Sequence, residues 1–125
     1  MSYSDLHYAM QAQYGRAMND IGLILPQAFA MAYDEMYIHL TAQDNKVQVM
    51  AFTALFIVAI EGGMRFELSD PFVRDVIEEL SVAYSKLHCL TLNEEVSEDD
   101  ELMLGHVKGV LHCLESWILV GRINR

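Results

Sequence analysis

Apolar residues recur every three or four positions in five segments of this chain, and this period constrains its fold more than any other feature. Alternation typical of a strand never extends beyond four residues, apart from a weak ambiguity at residues 22–25. No linker rich in glycine, serine or proline divides the 125 residues, of which 53% are hydrophobic. The sequence therefore predicts an all-α fold, a compact single-domain bundle of about five helices covering residues 1–125.

The first two helices are separated by a proline. Ser4 or Asp5 is expected to cap the first helix, whose inward residues follow at helical spacing: Leu6, Met10, Tyr14, Ala17, Ile21 and Ile24. Pro26 is expected to stop or kink it, because the ring clashes with the carbonyl one turn back. One side of the second helix is expected to carry Phe29, Tyr33, Met36, Tyr37 and Leu40.

The other three helices have clearer starts. Asp44 or Asn45 caps the third, which runs to Glu61 and ends at Gly62 and Gly63. Ser69, Asp70 and Pro71 begin the fourth, with the stripe Phe72, Val73, Val76, Ile77, Leu80, Ala83, Tyr84 and Leu87. The fifth begins near Ser97 and continues to about Gly121, with an inward side formed by Leu102, Val107, Val110, Leu111, Leu114 and Ile118.

Membrane insertion and secretion are not expected. The longest apolar run, residues 47–60, contains Gln48 and Thr53 and is shorter than the roughly 20 residues that span a bilayer. It predicts a buried helix. The N-terminus lacks the pattern of a secretion signal, and two cysteines are too few for a disulfide scaffold. We expect a cytoplasmic protein.

The sequence lacks the usual motifs for metal binding and catalysis. The repeated tetrapeptide at residues 87–90 and 111–114 offers His88, Cys89, His112 and Cys113. Adjacent residues on a helix point about 100° apart, and in a hairpin of the fourth and fifth helices the two pairs would not meet. The motifs of di-iron bundles, zincins, nucleophile-elbow hydrolases and nucleotide-binding loops are missing. We expect no metal, no cofactor and no enzymatic activity.

The most pointed chemical feature is an acidic run on a chain of net charge −10: Glu94, Glu95, Glu98, Asp99, Asp100 and Glu101. Ser97 with Asp100 three residues on resembles a capping box with Asp in place of Glu. Acidic residues in a first helical turn also complement the helix macrodipole, and together these two effects explain Glu98, Asp99 and Asp100. Glu94 and Glu95 precede the helix and add repulsion, so their presence indicates either a basic partner or a contribution to solubility. Direct nucleic-acid binding is not expected, because the eight basic residues are scattered.

The N-terminal region predicts a second surface. Residues 1–33 hold only three charged groups, Asp5, Arg16 and Asp20, too few to cover two helices exposed to solvent. They indicate either central helices or a face buried in a partner, which makes a homodimer a fair hypothesis. Tyr3, His7, Met10 and Tyr14 form the candidate oligomer interface, although a stripe of this kind is more often core.

Three functions are compatible with these features. We favour a non-catalytic acidic protein that binds and neutralises a basic partner, such as a toxin, an effector or a nucleic-acid-binding enzyme, in the manner of immunity proteins and phage inhibitors. The alternative is a homo-oligomeric helical scaffold or adaptor that uses the first two helices as its interface. A third is an enzyme or ligand-binding protein with a pocket between helices two, three and five, using His39 or His106.

Overall fold

A computed structural model describes residues 2–66, 74–82, 85 and 97–123 of the chain. Within these residues the regular structure is helical and no strand occurs. The prediction of an all-α bundle is confirmed. The chain divides into two compact units, residues 1–64 and residues 65–125, called unit 1 and unit 2 below. The prediction of a single domain stays a prediction.

Helix α1, Tyr3–Gly15, begins two or three residues earlier than the sequence suggested. The Ser2 hydroxyl, and not Ser4 or Asp5, caps it by accepting the Asp5 backbone N–H at 3.2 Å. Tyr3, Leu6, Met10 and Tyr14 are buried, as the helical period requires. This helix packs against two later helices, Leu25–Glu35 (α2) and Asn45–Glu61 (α4).

The α-helix ends at Gly15, well before Pro26. The expectation that Pro26 stops or kinks the first helix is therefore wrong. Residues Arg16–Asp20 form a π-helical segment, in which the Ile21 N–H donates to the Arg16 carbonyl at 3.2 Å. Gly22 then adopts a positive φ of 80°, which suits glycine. Ile21 follows the last helical residue and Ile24 is extended, so neither lies on the buried side of the first helix and both are exposed; this helix has ended before Pro26 is reached.

Helix α2, Leu25–Glu35, places Pro26 in its first turn, where the missing N–H has no intrahelical acceptor to lose. The Ile24 N–H donates to the Gln27 side-chain oxygen at 3.2 Å and so satisfies one group at the helix start. The predicted second helix is broken at Met36, with α3 formed by Tyr37–Leu40. Across α2, the break and α3 the buried residues are Ala28, Ala32, Met36 and Leu40. Tyr37 is exposed, which corrects the predicted stripe.

Helix α4, Asn45–Glu61, forms the core of unit 1 and contacts α1, α2 and α3. The Asp44 carboxylate accepts the Lys46 N–H at 2.9 Å, which confirms the predicted cap. Every residue from 50 to 57 is buried, because this helix is apolar on all sides. Its one buried polar side chain there, Thr53, donates to the Val49 carbonyl at 2.6 Å. Gly62 ends the helix, and Gly63 follows at φ 94°, as predicted.

Unit 2 contains helix α5, described over residues 74–82, and helix α6, Glu98–Ile123. The described part of α5 buries Val76 and Leu80 and exposes residues 74, 75, 78 and 79, in agreement with the predicted period. Its predicted start at Ser69, Asp70 and Pro71 lies outside the described residues. Helix α6 buries Met103, Val107, Val110, Leu111 and Leu114. Leu102 was expected inward but is 40% exposed, because Met103 takes the buried position.

Among the described residues, no helix combines the length and apolar character that crossing a membrane requires.

Candidate acidic interaction site

The first turn of α6 carries four consecutive carboxylates, Glu98, Asp99, Asp100 and Glu101, called the acidic turn below. Glu98 and Glu101 are exposed, and the two aspartates are half-buried. The remaining two residues of the predicted binding site, Glu94 and Glu95, lie outside the described residues. The acidic turn therefore presents two exposed glutamates and two half-buried aspartates to solvent.

Ser97 supplies the cap of this helix. Its hydroxyl accepts the Asp100 backbone N–H at 3.1 Å, and its carbonyl accepts the Glu101 N–H at 3.0 Å. This capping was predicted from the sequence and is confirmed. The neutral Ser97 hydroxyl already accepts the Asp100 N–H. The four successive carboxylates that follow are therefore not needed to cap the helix.

Electrostatics at the acidic turn combine a favourable and an unfavourable contribution. Each carboxylate gains about 0.3–1 kcal/mol from the positive end of the helix macrodipole. Residues within one turn lie closer together than the Debye length of about 8 Å, so salt does not screen their mutual repulsion fully. A cationic surface that approaches the turn relieves this repulsion. The acidic turn can thus attract a positively charged partner.

Unit 2 as a whole carries more charge than unit 1. By sequence, residues 65–125 hold twelve acidic and six basic side chains, whereas residues 1–64 hold six acidic and two basic ones. Asp75, Glu78 and Glu79 add exposed carboxylates on α5. The net charge is therefore −6 in unit 2 and −4 in unit 1, so unit 2 holds more charged side chains of both signs and the larger share of the negative charge.

The predicted aromatic interface in unit 1 lies largely inside the folded chain. Tyr3 and Met10 are fully buried, Tyr14 is 4% exposed, and His7 is half-buried. The rings of Tyr3 and His7 stack with centroids 6.0 Å apart. The Tyr14 hydroxyl donates to the Leu55 carbonyl of α4 at 3.0 Å, and burial raises the pKa of this hydroxyl well above its ordinary value. These positions favour the other interpretation of the stripe, a core that joins α1 to α4.

One pairing in unit 1 was not anticipated from the sequence. A ring nitrogen of His7 and a carboxylate oxygen of Glu61 lie within 4.8 Å of each other. His7 stands on α1 and Glu61 is the last residue of α4, so only the packing of these two helices brings them together. No local spacing in the sequence could have indicated it.

Exposed apolar side chains in the described part of unit 1 form a feature that sequence reasoning located only in outline. Ile21 is 58% exposed, Ile24 63% and Ile38 79%, and Tyr8, Met18 and Tyr37 are exposed as well. Met18 in the π-helical segment, together with Ile21 and Ile24 in the turn between this segment and α2, is called the apolar turn below. The sparse charge of residues 1–33 left open either central helices or an uncovered apolar face, and the candidate face was assigned to other residues, Tyr3, His7, Met10 and Tyr14.

The described histidine and cysteine side chains that were candidates for binding a metal or a ligand lie in both units. Within α6, His112 is exposed and Cys113 is a half-buried free thiol. The other pair of the repeat, His88 and Cys89, lies outside the described residues. His39 in unit 1 and His106 in unit 2 are each half-buried.

Comparison of the chain with protein-family models, with curated proteins and with solved structures finds no match.

Proposed function

We propose that this chain is a non-catalytic interaction protein that binds and neutralises a basic partner protein through the acidic turn of α6. The observation that carries the proposal is the exposure of Glu98 and Glu101 on a helix start that Ser97 already caps. Exposed charges that the fold does not require are available to bind a partner protein. A toxin, an effector or a nucleic-acid-binding enzyme presents the complementary surface, because each of these classes uses clustered lysine and arginine.

The expected binding mode follows from the charge. A concentrated negative field steers a basic protein towards unit 2 and raises its association rate, and this gain falls as salt increases. Binding at the acidic turn would cover cationic residues that the partner needs for its own substrate. Inhibition then requires only occupancy of that surface and no chemical step by this chain.

Capture from a lysate of the organism that encodes the chain, at low and high salt, tests this function. The wild-type chain should retain a basic protein at low salt and release it at high salt. Glu98→Lys with Glu101→Lys should abolish capture, because like charges would meet across the interface. The matched control is Asp34→Lys with Glu35→Lys, the same charge change at two exposed acidic residues of unit 1. Equal loss of capture in both variants would mean that net charge alone, and not the acidic turn, attracts the protein.

Stability has to be separated from binding in this experiment. Lysine in a first helical turn opposes the macrodipole by about 0.3–1 kcal/mol per residue. Thermal unfolding of each variant therefore accompanies the capture. A folded Glu98→Lys, Glu101→Lys chain that still captures the same basic protein would refute the proposal.

A second candidate function, a homo-oligomeric scaffold or adaptor, is supported by the apolar turn. Three large apolar side chains are exposed there in a unit with few charges, where two copies of an acidic chain repel each other least. Light scattering over a range of concentrations distinguishes the two functions. A monomer at every concentration would remove the scaffold and leave the apolar turn to a foreign partner.

A further inference from the structure

We draw no further inference here: the strongest candidate, the exposed apolar turn formed by Met18, Ile21 and Ile24 in unit 1, already supports the second candidate function, and nothing in the structure shows what covers it.

Discussion

Tyr14→Phe tests whether the buried tyrosine of α1 ties this helix to α4 through its hydroxyl. The substitution removes only the oxygen that donates to the Leu55 carbonyl at 3.0 Å and leaves the ring in place. The Leu55 carbonyl keeps the N–H that it accepts within its own helix, so no buried acceptor is left without a donor. We therefore expect the free energy of unfolding to fall by about 0.5–1.5 kcal/mol, the net contribution of one buried hydrogen bond.

Urea denaturation followed by circular dichroism measures this loss. The midpoint should move to lower urea while the slope stays constant, because the surface exposed on unfolding hardly changes. Tyr8→Phe is the matched control, since Tyr8 lies on the same helix and is 75% exposed. Equal and negligible losses in the two variants would refute the reasoning, because the Tyr14 hydroxyl would then contribute no more than a solvated one.

Alkaline pH provides a second test of the same group. Burial raises the pKa of Tyr14 in the folded chain, whereas an unfolded tyrosine ionises near pH 10. Above that pH the unfolded state holds fewer protons than the folded state, so the wild-type chain loses stability as pH rises. One pH unit higher, the loss is about 1.4 kcal/mol, and Tyr14→Phe lacks this contribution. The stability difference between the two proteins should thus vanish or reverse in sign by about pH 11, and a constant difference would contradict the burial of the hydroxyl.

Three further predictions concern the cap, the acidic run and the apolar turn. Ser97→Ala should lower the free energy of unfolding, measured by urea denaturation, by about 1 kcal/mol. Ser85→Ala is the control and should change it little, because it removes only a hydroxyl that donates to the Ser81 carbonyl at an exposed helix position. Glu94→Lys with Glu95→Lys should slow association with the basic partner and flatten its salt dependence without affecting the helix start; full affinity at low salt would favour the scaffold. Ile24→Asp should dissociate any oligomer seen by light scattering, while Gln11→Asp, at an exposed polar position of the same unit, should not; identical behaviour of the two would exclude the apolar turn as the interface.

Local signals predicted the parts of the fold and of the candidate site that depend on near neighbours in the chain. The caps at Asp44 and Ser97 and the end at Gly62 and Gly63 were found from the sequence, because each uses a side chain or a backbone angle within a few residues. The buried character of α4 followed from its continuous apolar run. The acidic turn was predicted by residue number for the same reason, since charge and capping are properties of consecutive positions.

The sequence by itself determined the helical class, both ends of α4, the start of α6 and the sign and place of the surplus charge, because periodicity and composition are local quantities. Tertiary structure decided which faces are covered. The first helix ends before Ile21 and Ile24 is extended, so both are exposed to solvent, while packing on α4 buries Tyr3, Met10 and Tyr14. It also brings His7 to Glu61. Period alone tells which residues share a helix face, but burial depends on the neighbour that meets that face, and this neighbour comes from a distant part of the chain.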